Sequence, residues 1–191
     1  NLQVTFKYGR NRRFSVQKEP FKPPVFGVTI LGSGHGFDPN KRTTGFVIWI
    51  NGVGYVVDPP LNTSELLHSE GISSRSVEYL ILTHCHGDHD AGTLQKILEE
   101  DRITVLTTPT IMASFLRKYA AIVGIHESEI RKLFHFQAVQ LGGPNQINEA
   151  IFNFHYSVHT LPCVGFEVIF CEKKIFYSAD TLNVPDKLEA L

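Results

Sequence analysis

The sequence lacks any apolar run approaching the roughly 18 residues that cross a bilayer, so no membrane association is expected. Cysteine is scarce. Cys85, Cys163 and Cys171 are the three in 191 residues, an odd number without regular spacing, which excludes a disulfide-stapled scaffold and favours a reducing, cytoplasmic setting. A dominant charge is missing as well. Lys and Arg number 18 against 19 Asp and Glu, a formal charge of -1, so bulk electrostatics give no general case for a nucleic-acid binder. There is no internal repeat or low-complexity tract. The chain starts at Asn1 with no Met, secretory h-region or acylation motif, as expected of a processed or excised segment.

What is present points to one packed α/β domain. Hydrophobic residues make up 42% of the chain, with 14 Phe, against 19% charged, a balance that favours a globule over disorder. Residues 1–24 carry Lys7, Arg10, Arg12, Arg13, Lys18 and Lys22 and end in Pro23-Pro24, which reads as a basic, solvated arm, with phosphate contact as the alternative. Residues 25–191 form the domain proper. Strands are predicted over Val25 to Leu31, Thr44 to Ile50 and Val53 to Val57, the last two joined by the hairpin turn Asn51-Gly52. Gly32 to Asn40 is a glycine-rich loop whose spacing matches neither phosphate-loop signature. After a short helix from Thr63 to Glu70, Val77 to Thr83 reads as a buried central strand. Leu94, Ile97 and Leu98, then Ile111, Met112, Phe115, Leu116 and Tyr119, recur at helical spacing around a strand from Ile103 to Leu106. A partly helical stretch, Glu127 to Phe134, leads to a turn at Leu141 to Pro144. Strands over Ala150 to Val158, Gly165 to Cys171 and Lys174 to Tyr177 follow, with a further helix beginning near Pro185. Alternating strands and helices beside a hairpin imply a mixed sheet.

The chemistry is concentrated in Thr83-His84-Cys85-His86-Gly87-Asp88-His89-Asp90-Ala91-Gly92. An extended segment leaving a strand puts His84 and His86 on one face and Cys85 on the other. Gly87 permits a change of direction, and Asp88 and His89 then open the next helix. Imidazole nitrogens and carboxylate oxygens suit zinc, and also manganese or iron. Four local ligands underfill a paired site. His159 and Asp180, each just past a strand, are candidate additions, with a loop histidine and a helix-capping aspartate as the plain alternatives; His155, inside a strand, fits a packing role better.

These residues carry a specific resemblance. Thr83 to Gly92 resembles the His-x-His-x-Asp-His signature of the metallo-β-lactamase superfamily. His159-Thr160-Leu161-Pro162-Cys163-Val164-Gly165-Phe166 and Tyr177-Ser178-Ala179-Asp180-Thr181 resemble the second histidine region and the bridging-aspartate motif of its ribonuclease Z and cyclic-nucleotide phosphodiesterase branch. Leu31 to Gly34 and Asp58 are similar to its early elements. The resemblance implies an αββα sandwich of two mixed sheets flanked by helices, with two divalent cations, zinc first and Mn2+ or Fe2+ as alternatives. His84, His86 and His159 would hold one, Asp88 and His89 the other, and Asp180 would bridge them, with Asp88 also acting in catalysis. A metal-dependent phosphodiester hydrolase is implied, foremost a 3',5'-cyclic-nucleotide phosphodiesterase using a metal-bound hydroxide. The alternatives are a ribonuclease Z-like RNA endonuclease, a thioester, lactone or β-lactam hydrolase, and a non-catalytic metal-binding sensor; a homodimer is compatible with each. Two departures matter. No histidine follows His159 to match the family's distal one, so the domain is expected to be truncated at its C-terminus. Asp58 precedes Pro59-Pro60 instead of a small residue and glycine, which implies an altered loop beneath His86.

Overall fold

A computed structural model describes residues 21–100 and 103–188 of the chain. The predicted basic arm lies outside the described residues except for its last four positions, 21–24. A six-stranded sheet is ordered β1 (Phe26–Gly32), β2 (Gly45–Ile50), β3 (Val53–Val57), β4 (Val77–Ile81), β5 (Thr104–Thr107) and β6 (His135–Ala138). A four-stranded sheet is ordered β10 (Lys173–Tyr177), β9 (Val164–Phe170), β8 (Ala150–Tyr156) and β7 (Asn145–Ile147). The helices are α1 (Thr63–Ser69), α2 (Gly87–Glu99), α3 (Pro109–Val123), α4 (Glu127–Arg131) and α5 (Pro185–Leu188). No helix among the described residues is long and apolar enough to cross a membrane.

The expected mixed pairing holds for the larger sheet. There β1, β2 and β3 run antiparallel, and β3 through β6 are parallel. The smaller sheet differs: its strands are antiparallel throughout, with one isolated parallel bridge between Leu141 and Phe154. Asn51 and Gly52 turn the β2–β3 hairpin with φ of 48° and 85°, the left-handed conformations a tight right-twisted hairpin demands.

The two sheets meet through aromatic rings. Phe46 on β2 lies 4.8 Å from Tyr177 on β10, Tyr55 on β3 lies 5.4 Å from Phe152 on β8, and Phe26 on β1 lies 5.8 Å from Phe170 on β9 (ring centroids). Strands β2 and β3 are therefore buried on both faces, one against the second sheet and the other beneath the helices, so they read as continuous apolar runs. Leu67, Ile97, Ile111, Phe115 and Ile130 bring the helices into the same core. Leu98 does not join it: despite its helical spacing it is exposed, while Asp90 and Ile97 occupy the buried stripe of α2. Strands β6 and β7 were not predicted; both are short and largely polar, so they carry no apolar alternation.

Parallel β3, β4 and β5 end on one edge of the sandwich, the edge where open α/β sheets place ligands. The chain beyond β4 carries the histidine cluster, and a hydrogen bond from the Val164 N–H to the Thr83 carbonyl (3.1 Å) ties the start of β9 to it. Fold geometry thereby brings the two halves of the chain together at that edge.

Candidate metal centre

Past β4 the backbone stays extended to His86, with φ -69° and ψ 149°, and α2 then opens at Gly87. As the two-residue period requires, Cys85 turns away and its Sγ meets the Ile111 carbonyl at 3.6 Å. Burial drives the Cys85 thiol pKa up to about 12, which fits a packing residue. The His84 and His86 rings lie 4.9 Å apart, and His89 from the first turn of α2 lies 4.2 Å from His84. His159, just beyond β8, completes the group at 4.7 Å from His86 and 4.9 Å from His84.

All six predicted residues reach this one place. His159 Nε2 is 2.8 Å from His86 Nδ1. Asp180 points its two oxygens in different directions: Oδ2 lies 4.0 Å from His84 Nε2 and 3.9 Å from His159 Nε2, while Oδ1 lies 3.4 Å from His89 Nε2. Asp88 Oδ2 lies 3.8 Å from the same His89 nitrogen. Ala179, at φ 51°, turns the chain so that Asp180 enters the cluster; a non-glycine residue in the left-handed region is strain concentrated at a site. Candidate ligand atoms of His84, His86, His159 and Asp180 lie within 4.8 Å of one another. His155, the competitor, is elsewhere, stacked on Phe176 at 5.2 Å.

The hydrogen-bond pattern fixes two histidine tautomers. Asp58, fully buried at the end of β3, accepts from the Thr83 N–H (2.9 Å) through Oδ1. Its Oδ2 accepts from the Thr83 hydroxyl (2.6 Å) and meets His89 Nδ1 at 2.9 Å. A carboxylate only accepts, so His89 carries its proton on Nδ1 and aims an Nε2 lone pair at Asp88 and Asp180. The Thr83 hydroxyl has given its proton to Asp58, so it can only accept from His84 Nδ1, 3.0 Å away. Among the described residues His84 Nε2 is left buried without a hydrogen-bond partner. An orphaned buried lone pair among three other imidazoles and two carboxylates fits a cation.

Electrostatics agree with that fit. Burial, then the neighbouring imidazoles of His89, His159 and His86, push the His84 pKa down to about 3, so it stays neutral. Burial likewise lowers that of His159. Burial also opposes a charge on His89, but its hydrogen bond to Asp58 and the charges of Asp58, Asp180 and Asp88 outweigh that, and its pKa is raised. The carboxylates that favour a proton there favour a metal cation for the same reason. Asp58 also lies close enough to His84 and His89 to be a ligand candidate. Its oxygens are already engaged by three donors, which makes it an orienting group.

The support given by Asp58 differs from the expectation: it holds Thr83 and His89, not the loop beneath His86. Pro59 and Pro60 present their carbonyls to Gly92 in α2, so close that a Cβ there would collide. A second device escaped sequence reasoning. Lys118 on α3 donates to both oxygens of buried Asp90 at 2.7 Å and to the Cys85 carbonyl at 3.1 Å, and the Tyr119 hydroxyl donates to the Asp90 carbonyl at 2.9 Å. This pins the histidine segment to α3. The available signal was Asp90 continuing the apolar stripe of Leu94 and Ile97, a position a charge occupies only with a partner. The glycine-rich loop serves the site too, since the Gly36 N–H donates to Asp88 Oδ2 at 3.1 Å.

Comparison with known proteins agrees with this architecture. The chain is 55% identical over 169 residues to the cGMP-dependent 3',5'-cGMP phosphodiesterase A of Dictyostelium discoideum, a match covering 88% of the chain and 20% of that protein. It is 45% identical over 177 residues to the cAMP/cGMP-dependent 3',5'-cAMP/cGMP phosphodiesterase B of the same organism, covering 92% and 16%. The chain thus spans a fifth or less of the length of these two relatives. Among solved structures it resembles the metallo-beta-lactamase fold protein YhfI of Bacillus subtilis, with TM-score 0.63, 17% identity, and coverage of 85% of the chain and 65% of the other. The fold is that of the metallo-β-lactamases, and the clustered histidines and aspartate are a group that could hold a divalent metal ion. The family model described as "Anti-Pycsar protein Apyc1" matches residues 26–191, and the chain belongs to that family.

Proposed function

We propose that residues 25–191 form a metal-dependent phosphodiesterase domain that hydrolyses 3',5'-cyclic nucleotides. The observation that carries this reading is the divided carboxylate of Asp180, one oxygen facing His84 and His159 and the other facing His89. That division suits two cations, His84, His86 and His159 holding one, Asp88 and His89 the other, with Asp180 between. Zinc is the first candidate, with manganese or iron as alternatives. When bound, such a pair would supply Lewis-acid polarisation of the phosphoryl group and a more acidic water. The substrate class is supported by the two relatives above, whose names are those of cyclic-nucleotide phosphodiesterases.

The chain's own groups then have definite tasks. Asp58 holds His89 and, through Thr83, His84 in the tautomers that present lone pairs to the cleft. Asp88, steadied by the Gly36 N–H, would accept a proton from the attacking water as its oxygen bonds to phosphorus, and the ribose oxygen released in the same displacement would take up a proton from Asp88 or solvent to leave as a hydroxyl. Neutral His84 and His159 add no charge of their own to the site, so its cationic field is left to the metals that would neutralise the phosphate. The test is side-by-side turnover of cyclic AMP, cyclic GMP, a tRNA precursor and nitrocefin by the metal-loaded full chain. Hydrolysis of the cyclic nucleotides is expected. RNA cleavage with the cyclic nucleotides untouched would overturn the proposal.

A further inference from the structure

The cleft beside the cluster measures about 570 Å³, and its walls include Gly36, Phe37, His86, Asp88, His159 and Asp180. Five of these six are backbone or polar groups matched to a phosphate and its cations. The sixth is a phenyl ring 95% exposed to solvent. Among the described residues Phe46, Phe115, Phe134, Phe152, Phe154 and Phe166 are buried, and Phe176, 65% exposed, is stacked on His155, away from the cluster. An isolated apolar side chain on a surface needs no explanation by itself. A ring standing beside the reacting groups, on a loop built to hold it there, does.

The loop is fastened at three levels. At its base the Gly34 N–H donates to the Arg42 carbonyl at 2.8 Å and the Thr44 hydroxyl donates to the Gly34 carbonyl at 3.0 Å. At its tip the Phe37 N–H donates to His35 Nδ1 at 3.2 Å, and the Asp38 N–H donates to the His35 carbonyl at 3.1 Å. Between them, Gly36 lies against Asp88 so closely that a Cβ would stand 2.9 Å from the carboxylate, and its N–H donates to Asp88 Oδ2. Phe37 is thus placed one residue from a hydrogen bond to a proposed ligand. The backbone that carries the ring is thus ordered before any substrate arrives, which lowers the cost of forming a contact there.

We propose that Phe37 is the platform on which the purine base of the substrate stacks while its phosphate meets the histidine cluster. This rests on the cyclic-nucleotide reading of the same site. A flat, π-faced ring beside a polar floor matches a molecule that is aromatic at one end and anionic at the other. Stacking accepts either purine, because each has a π-face, and it weakens for the smaller pyrimidines.

The test uses the full chain loaded with divalent metal and three variants: Phe37→Ala, Phe37→Leu and Phe37→Trp. Phe37→Ala should raise KM for cyclic AMP and cyclic GMP by about 5- to 150-fold with kcat held within about threefold, and raise it less for cyclic CMP. Competitive inhibition by inorganic phosphate, which has no base, should stay unchanged. Phe37→Leu should lose most of the affinity, whereas Phe37→Trp should keep it. Trp49 is the chain's one tryptophan and is fully buried, so a tryptophan at position 37 gives a separate fluorescence signal that stacking by cyclic AMP should quench. A KM within twofold of wild type for Phe37→Ala, or wild-type affinity in Phe37→Leu, would overturn the stacking role while leaving the phosphodiesterase reading standing. If the wild type turned over no cyclic nucleotide, quenching of Phe37→Trp by cyclic AMP would still support the platform and only the activity would fall. Absence of quenching would remove the platform.

Discussion

Replacing Asp58 by Asn changes one buried oxygen into an NH2 group and should disturb the metal centre at a distance. The carboxylate meets three donors: the Thr83 N–H and hydroxyl, and His89 Nδ1. A carboxamide has one oxygen to offer. If that oxygen takes the Oδ1 position, the NH2 confronts His89, which must move its proton to Nε2 to accept, and its lone pair no longer faces Asp88 and Asp180. If it takes the Oδ2 position, the NH2 abuts the Thr83 N–H inside a fully buried pocket. Loss of an outer partner of a metal-ligating histidine weakens metal binding by roughly 10- to 100-fold, about 1.4–2.7 kcal/mol. Hydrogen bonds to a charged group are worth about 1.5–3 kcal/mol each, so the metal-free protein should also lose about 2–4 kcal/mol. Metal affinity is read by competition with a chromogenic chelator, and stability by urea unfolding in EDTA. In a His89→Ala background the effect of Asp58→Asn on affinity should shrink to the part transmitted through Thr83 to His84. Metal affinity within twofold of wild type, in a variant whose stability has dropped as expected, would refute the orienting role.

His84→Ala and His86→Ala should each lower metal content and turnover together, by at least about 100-fold in activity, measured by elemental analysis and a cyclic-nucleotide assay; wild-type metal affinity in both would remove them as ligands. Asp180→Asn should reduce the second equivalent of bound metal more than the first, as read by titration calorimetry. Gly36→Ala would place a Cβ 2.9 Å from the Asp88 carboxylate, so kcat should fall about tenfold or more with the melting temperature little changed. Lys118→Met leaves Asp90 buried without its ammonium partner and should cost about 3–5 kcal/mol in chemical denaturation, part of which Asp90→Asn in the same chain should restore. Burial already raises the Asp90 pKa against the opposing pull of Lys118, and removing Lys118 raises it further. A folded-state value above the unfolded one means the native protein holds the extra proton at low pH. The deficit of Lys118→Met relative to wild type should therefore be small below about pH 4 and grow as pH rises through the folded value.

The elements other than β6 and β7, and the six clustered residues, were legible in the sequence for different reasons. Strands β2 and β3 and the hairpin between them follow from local composition, because β-branched and aromatic runs and Asn51-Gly52 act over a few residues. His84, His86, Asp88 and His89 lie on one short segment, so their convergence depends only on an extended strand exit and a helix start. His159 lies 70 to 75 positions and Asp180 91 to 96 positions from that segment's histidines, and no periodicity links them. Their resemblance to family motifs marked them. Their meeting depends on β8 and β10 ending at the same edge as β4, which is a property of strand order.

What composition and spacing could not supply is the direction of protons. Asp58 is 25 residues from Thr83 and 31 from His89, and in sequence it is an aspartate that stops a strand before two prolines. In the fold it fixes the tautomers of two histidines at once, directly at His89 and through a hydroxyl at His84. The left-handed φ of 43° at Asp58 and of 51° at Ala179 belongs to the same problem. At both places the chain leaves the conformations its residue types prefer so that a carboxylate can be aimed, and the cost is carried by the packed strands on either side. A candidate metal centre of this kind is thus written twice, once in the clustered histidines and aspartates, which a sequence displays, and once in the groups that turn their lone pairs inward, which become visible when the strands are paired.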